Sequence, residues 1–217
     1  MSKSKNQLWM FDPDADYSNK KIVIVWVWWV WSVAAYYVSQ MWCKNITIID
    51  MDDVEIHNTS SQFYKQSDIR RSKVDALSEN IAVFNDVNME TFNEPYKSEH
   101  LEWAHIVIAA VDNMDIRKQI VDDSYDMDIP YVIEARMSWE EFMIYAFDPF
   151  VDKETWMWFR YPQSEVEPVV CTMKSISYNT WMIWSLIAKL VKNILRKERI
   201  PFFISFNIWE FNFSSSY

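Results

Sequence analysis

Glycine is absent from the 217-residue chain, whereas tryptophan occurs 13 times. At an average usage of about 7%, roughly 15 glycines would be expected in a chain of this length. A folded α/β domain needs turns with positive φ, which glycine adopts at the lowest cost. Either other residues fill those turns at a cost in stability, or some tryptophans stand at positions that need glycine.

Cysteine and clustered positive charge are also scarce. The two cysteines, Cys43 and Cys171, are far apart in the sequence, so we expect no disulfide framework. The net charge is −10, and the basic clusters are short. Nucleic-acid binders draw most of their affinity from basic side chains on phosphates, so this class of function is excluded.

No targeting or membrane-spanning segment is expected. Residues 1–6 are polar and lack the apolar core of a signal peptide. The apolar run at residues 22–38 contains Ser32 and changes from a strand pattern to a helix pattern near Val30. We therefore expect a cytoplasmic protein with a single domain over residues 1–217, an N-terminal extension at 1–19 and a surface crossover loop at 148–170.

The hydrophobic periodicity predicts alternating strands and helices. Predicted strands cover residues 21–25, 45–49, 87–92, 105–111, 130–133, 142–147, 202–206 and 210–213, and predicted helices cover 30–41, 72–84, 114–125 and 181–196. This order favours an α/β fold with a doubly wound, Rossmann-like, mostly parallel sheet. Helices would cover both faces, and antiparallel strands would complete the sheet at the C-terminal end.

Four tryptophans follow the first predicted strand in the frame of a nucleotide-binding loop. Trp26, Trp28, Trp29 and Trp31 precede Ser32, and this frame matches the pattern G-x-G-G-x-G-S. Asp50 ends the next predicted strand, at the spacing where Rossmann-like folds place the acid that binds ribose.

Indole side chains do not fit such a loop. The loop must turn tightly and let the backbone approach phosphate oxygens, whereas indole disfavours positive φ and fills the phosphate volume. The plainer alternative is that the four tryptophans are core aromatics. Our hypothesis is that tryptophan systematically stands where the fold needs glycine. As written, we predict poor folding and no ATP binding, because each overpacked site costs about 1–3 kcal/mol.

Four further motifs follow in a fixed order. The second predicted strand leads into Asp50, Asp52, Asn58 and Gln62. A D-I-x-x-x-K pattern follows at residues 68–73, an Asp112–Asn113 pair with Arg117 follows a later strand, and Cys171 lies in a P-x-x-C-T context.

Together these motifs resemble the E1-like superfamily of adenylate-forming enzymes, which includes ThiF, MoeB and HesA. The resemblance covers residues 20–117 and resumes at residues 171–195. It implies ATP-dependent adenylation of the C-terminal carboxylate of a ubiquitin-like or sulfur-carrier protein, with Mg²⁺ and a homodimeric assembly.

The resemblance also implies a role for each matching residue. Asp50 would hold the ribose hydroxyls, and Lys73 would contact ATP phosphate. Asp112 would bind Mg²⁺, and Cys171 would act as a nucleophile that takes a thioester or acyl link. The remaining nucleotide contacts would come from the loop at Trp26, Trp28, Trp29 and Trp31 and from Asp52, Asn58, Gln62, Arg71 and Asn113.

Each of these residues has a plainer interpretation. Asp50 could only cap its strand, and Lys73 could be a solvated helix residue. Asp112 could cap the next helix, since aspartate is a favoured N-cap. Cys171 lies beside valines and could be a small buried hydrophobe.

The chain departs from the family pattern at three points. Ser61 stands where an arginine usually precedes the glutamine, and Arg70 stands at a usual glycine. Arg70 or Arg71 could replace the missing arginine. With two cysteines in total, the two Cys-x-x-Cys pairs of the zinc-containing members are missing, so we expect no zinc.

Two other functions remain open at this stage. The first is an NAD(P)- or FAD-dependent oxidoreductase on a similar fold, although Lys73 and Asp112 have no purpose there. The second is a catalytically inactive partner subunit of an E1-like enzyme, which Ser61 and the indole-filled loop favour.

Overall fold

The computed structural model describes residues 17, 19–25, 32–41, 43–60, 62–84, 86–87, 89–138, 140–165 and 177–217. Eight strands form one sheet: β1 (Lys21–Val25), β2 (Ile46–Ile49), β3 (Glu90–Phe92), β4 (Ala104–Ala109), β5 (Val132–Ser138), β6 (Glu141–Phe147), β7 (Phe203–Asn207) and β8 (Asn212–Ser216). The described helices are α1 (Ser32–Gln40), α2 (Lys73–Ala82), α3 (Met114–Asp126), α4 (Pro149–Met157) and α5 (Ser177–Leu195).

The sheet is parallel in its first half and antiparallel in its second. Its strand order is β3-β2-β1-β4-β5-β6-β7-β8. The pairings among β1 to β5 are parallel, and the pairings from β5 to β8 are antiparallel. The predicted doubly wound sheet with C-terminal antiparallel strands is confirmed.

The apolar runs of the sequence become the central strands because they are covered on both faces. Ile22 and Ile24 of β1 belong to the core that packs against α1, α2 and α5. Val23 and Val25 point to the opposite face and join the core that includes residues of α3 and α4. Continuous apolar runs are the pattern expected of parallel strands buried between two helical layers.

The strand order reverses between β1 and β4. From β1 the chain moves outward through β2 to β3, then returns to β4 on the other side of β1. In open α/β sheets, ligands bind at such a switch point, outside the carboxyl ends of the strands. The segments that follow β1, β2 and β4 therefore meet where a ligand is expected.

A helix occupies part of the segment that the sequence analysis predicts as a loop. The side chain of Asp148 accepts a hydrogen bond from the backbone N–H of Phe150 at 2.9 Å, and Pro149 stands in the first turn of α4. Trp156 of α4 is fully buried and stacks on Phe147 at 5.9 Å between ring centroids. The N-cap, the proline and this anchor explain why a helix forms here.

Two turns in the described part place bulky residues where glycine is favoured. Glu102 has φ −51° and ψ 126°, and Trp103 has φ 64°. Ile69 has φ −54° and ψ 130°, and Arg70 has φ 72°. These are the conformations of a type II turn, whose third residue is usually glycine.

No helix among the described residues has the length and apolar content needed to cross a bilayer.

Trp103→Gly should raise the free energy of unfolding by about 1 kcal/mol, because glycine adopts positive φ without the clash that involves Cβ. The matched control is Trp158→Gly. Both indoles are exposed, at 90% and 87%, but Trp158 has φ −68°. The control should lose about 0.5–1 kcal/mol through backbone entropy. Urea unfolding of both variants measures the difference, and equal losses would contradict the turn assignment.

Candidate functional site

The candidate site lies at the carboxyl ends of β1, β2 and β4. The segment after β2 begins with Asp50, and the segment after β4 contains Asp112 and Asn113. The loop with Trp26, Trp28, Trp29 and Trp31 would complete the site, but it lies outside the described residues. Cys171 also lies outside them. The predicted roles of these five residues therefore stay predictions.

A buried lysine pairs with an aspartate beside the end of β2. The side chain of Lys73 is 1% exposed, and its Nζ lies 3.0 Å from Oδ2 of Asp52. Asp50 is buried as well, and its Oδ1 accepts a hydrogen bond from the backbone N–H of Asp52 at 2.8 Å. The structure thus brings together three of the predicted nucleotide-binding residues.

Lys73 reaches this place because the chain folds back on itself after β2. The backbone N–H of Lys73 donates to the carbonyl of Asp52 at 3.0 Å, and Val54 donates to the carbonyl of Arg71 at 2.8 Å. Lys73 is the first residue of α2, after the N-cap Ser72. The interpretation of Lys73 as a solvated helix residue is wrong, because its side chain is only 1% exposed.

Three carboxylates act on the Tyr64 hydroxyl, which lies next to the backbone of Lys73. Burial, together with the charges of Asp50, Asp68 and Asp52, raises the pKa of the Tyr64 hydroxyl. Tyr64 therefore stays protonated at neutral pH, and its hydroxyl donates to the carbonyl of Lys73 at 3.3 Å.

Two buried amide side chains that follow β2 have polar atoms without a hydrogen-bond partner among the described residues. Oδ1 of Asn58 accepts a hydrogen bond from the backbone N–H of Glu55 at 2.7 Å, but Nδ2 is buried without a partner. Both side-chain polar atoms of Gln62 are buried without a partner. Buried polar groups are nearly always hydrogen-bonded, so such an exception calls for an explanation.

The start of α1 holds this segment in place. The backbone N–H of Phe63 donates to Oγ of Ser32 at 2.8 Å, and the backbone N–H of Gln62 donates to the carbonyl of Asn58 at 3.0 Å. Ser32 directly follows the tryptophan-containing loop. Gln62 is therefore fixed next to the first residue of the helix whose N-terminus would face a nucleotide phosphate.

Arg71 is occupied by two carboxylates. Its Nη2 lies 2.6 Å from Oε1 of Glu79, and its Nη1 lies 3.4 Å from Oδ1 of Asp68. The carboxylate of Glu79 raises the pKa of Arg71. Arg71 thus forms ion pairs with Glu79 of α2 and with Asp68, which precedes α2. Its predicted nucleotide contact stays a prediction.

Sequence reasoning did not assign roles to Asp68 and Asn80. Oδ2 of Asp68 accepts hydrogen bonds from Nδ2 of Asn80 at 2.6 Å and from the backbone N–H of Lys65 at 2.8 Å. Nδ2 of Asn80 also lies 3.2 Å from the carbonyl of Phe63. These contacts hold the loop of residues 62–68 against α2. In the sequence, the position of Asp68 at the start of the D-I-x-x-x-K pattern could have indicated its role.

Asp112 does not cap α3, because Asn113 does. Oδ1 of Asn113 accepts hydrogen bonds from the backbone N–H groups of Asp115 at 2.8 Å and Ile116 at 3.1 Å. The capping interpretation of Asp112 is therefore wrong. Asp112 is exposed, and no hydrogen bond of its carboxylate is found within the described ranges.

No ready-made metal centre exists in the described part of the chain. Groups of three or more histidine, cysteine, aspartate or glutamate residues that could hold a metal ion are not found among the residues searched. A single exposed carboxylate such as Asp112 suits Mg²⁺ held mainly by substrate phosphates.

Burial raises the pKa of the Cys43 thiol to about 12, so Cys43 is an unreactive core residue.

A family model described as the ThiF family matches residues 11–216. No curated protein matches the sequence significantly. Similar solved structures include PaaA, with a TM-score of 0.71 and 17% identity over 93% of this chain and 74% of PaaA. They also include E. coli MccB, with a TM-score of 0.74 and 14% identity over 92% of this chain and 62% of MccB. The chain thus spans less than two thirds of that MccB chain.

Gln62→Met should raise the free energy of unfolding of the unliganded protein by about 1–3 kcal/mol, because it removes a buried amide that has no partner. Urea unfolding measures the change. The matched control is Asn80→Leu, which should destabilise the protein because it removes a donor from the buried Asp68. If both variants lose similar stability, the Gln62 amide is satisfied within the protein and is not available to a ligand.

Proposed function

The chain belongs to the ThiF family, and from this premise we propose that it activates a carboxylate by ATP-dependent adenylation. The observation that carries the proposal is that Nδ2 of Asn58 and both amide atoms of Gln62 are buried without a hydrogen-bond partner among the described residues. They lie next to the start of α1, on the segment that follows Asp50 and precedes Lys73. A bound nucleotide would supply the hydrogen-bond partners that the protein does not.

The described residues fit a nucleotide at this edge. Asp50 would accept hydrogen bonds from the ribose hydroxyls, and Asn58 and Gln62 would donate to phosphate oxygens. Lys73 would neutralise phosphate charge, and its pairing with Asp52 keeps the buried ammonium compensated before ATP arrives. When bound, ATP supplies the electrophilic α-phosphorus and pyrophosphate as the leaving group.

The protein's own contribution would be positioning and charge neutralisation. Reactions at phosphorus are catalysed mainly by these two effects. Asp112 would hold Mg²⁺ from the end of β4, on the opposite side of β1 from Asp50. Asn113 would keep its place through its two hydrogen bonds to α3.

We propose a small protein or peptide as the source of the carboxylate. Structures of E. coli MccB include one with ATP and one with MccA. The family resemblance points to a ubiquitin-like or sulfur-carrier protein whose C-terminal carboxylate is adenylated. Cys171 would then accept the activated acyl group, and the enzyme would act as a cytoplasmic homodimer.

A catalytically inactive partner subunit is the second candidate. The observation that favours it is that the described part of the chain offers no unpaired arginine at the positions where the family has a phosphate contact. Ser61 replaces the usual arginine, and Arg71 is committed to Glu79 and Asp68 instead of a phosphate. No comparable observation favours an oxidoreductase. An NAD(P)- or FAD-dependent reaction would assign no role to the buried Lys73 or to the exposed Asp112.

Calorimetric titration with Mg-ATP tests the proposal. We define the glycine-loop variant as the chain with Trp26→Gly, Trp28→Gly, Trp29→Gly and Trp31→Gly. We expect Mg-ATP to bind this variant and not the chain as written, because indoles would occupy the phosphate volume. Adding Lys73→Met to the glycine-loop variant should weaken binding at least tenfold, since a charge-assisted contact contributes about 1.5–3 kcal/mol.

The control is a chain with Trp158→Gly and Trp209→Gly, which changes two exposed indoles outside the loop. This control should bind no better than the chain as written. A well-folded glycine-loop variant that ignores Mg-ATP would contradict the nucleotide assignment and favour the inactive partner subunit.

A further inference from the structure

The N-terminus of α3 is closed by a side chain from a distant segment. Oε1 of Gln163 accepts a hydrogen bond from the backbone N–H of Met114 at 2.8 Å. Asn113 binds the next two N–H groups. Three of the N–H groups that a helix start leaves unpaired are thus satisfied by side chains. These three N–H groups are therefore not open to an anion, unlike the N–H groups expected at the start of α1.

Gln163 belongs to a segment that is tied down at several points. We call residues 158–164, which follow α4, the crossover segment. Nη2 of Arg160 lies 2.8 Å from Oδ1 of Asp115 in the first turn of α3. The carbonyl of Phe159 accepts a hydrogen bond from Nη1 of Arg136 on β5 at 2.7 Å. The crossover segment is therefore attached to both the helix and the sheet.

A buried carboxylate anchors these attachments. Glu134 on β5 is fully buried and pairs with Arg117 of α3 and with Arg136, whose Nε lies 3.0 Å from each Glu134 oxygen. Nε1 of Trp156 lies 3.3 Å from Oε2 of Glu134. Burial lowers the pKa of Arg117 to about 9, so the guanidinium keeps its charge at neutral pH. One carboxylate thus joins β5, α3 and α4.

We propose that Gln163 is a positioning residue for the adenylation reaction: it clamps the crossover segment onto the first turn of α3 and so fixes Asp112 for a divalent cation. The inference rests on the proposed function. Asp112 lies two residues before Met114, whose N–H the clamp holds. The oxygen of Gln163 acts through this N–H and touches neither the cation nor the nucleotide.

The geometry favours a positioning role over a purely structural one. The large buried contacts next to the crossover segment come from Trp156 of α4 and from the ion pairs of Glu134 on β5. Gln163 is partly exposed and contributes one hydrogen bond. Its loss would release the N–H of Met114 while the buried anchors, the Asn113 cap and the Arg160–Asp115 ion pair remain. Residues that orient a metal ligand typically change metal affinity by about 10–100-fold when they are mutated.

The test compares Gln163→Leu, Gln163→Glu and Gln119→Leu in the glycine-loop variant. Gln163→Leu removes the acceptor, whereas Gln163→Glu keeps it and places negative charge at a helix N-terminus, which is favourable. Gln119 is exposed on the same helix and controls for the substitution itself. The readouts are amide hydrogen exchange at Met114, Mg²⁺ dependence of ATP binding, and urea unfolding.

We expect Gln163→Leu to speed exchange at Met114 by roughly fivefold to tenfold, as loss of one hydrogen bond predicts. It should also raise the Mg²⁺ concentration for half-maximal ATP binding about tenfold. Gln163→Glu should restore both values, and Gln119→Leu should change neither.

Faster exchange at Met114 with unchanged Mg²⁺ dependence would overturn the proposal and leave Gln163 a structural residue. A change in Mg²⁺ dependence that Gln163→Glu fails to rescue would overturn it as well. If the glycine-loop variant binds no ATP at all, the proposed function fails instead, and the exchange measurement shows separately whether the clamp exists.

Discussion

The parallel pairing of β1 with β2 on one side and β4 on the other is the constraint on which the candidate site depends. It sets Asp50 and Asp112 at the same edge of the sheet although they are distant in sequence. The return of the chain from Asp52 to Lys73 then adds the ammonium group. Without this pairing, these side chains would not lie at one edge of the sheet.

The succession of strands and helices along the chain and the acidic positions were predictable because they follow from local patterns. Continuous apolar runs identified β1, β2 and β4, and strand-end positions identified Asp50 and Asp112. Burial of Lys73 was not predictable, since a lysine at a helix start is normally solvated. It accompanies the backbone pairing of residues 52–54 with residues 70–73, a short antiparallel bridge that carries no periodic signal. The cap at Asn113 and the clamp by Gln163 likewise depend on tertiary contacts.

Two opposite charge arrangements flank the ends of the central strands. On the first side, Lys73 pairs with Asp52, and the charges of Asp50, Asp52 and Asp68 act on the neighbouring Tyr64 hydroxyl. Beside α3, Arg117 and Arg136 share the single carboxylate of Glu134, which leaves one buried positive charge in excess. Asp112 lies next to this excess, and its charge opposes the lowering of the Arg117 pKa. Carboxylates therefore predominate beside Lys73, whereas guanidinium groups predominate beside α3.

The missing glycines constrain the turns of the fold without changing its topology. Asp128 and Lys197 have positive φ just after α3 and α5, where helices usually end on glycine. Arg70 and Trp103 occupy type II turns. Each such residue costs about 1–2 kcal/mol, which is a large share of an ordinary stability of about 5–15 kcal/mol. Trp156 differs, because its ring is buried and its N–H points to Glu134. The tryptophans thus fall into at least two groups: Trp103 stands at a glycine position, whereas Trp156 fits its surroundings as an indole.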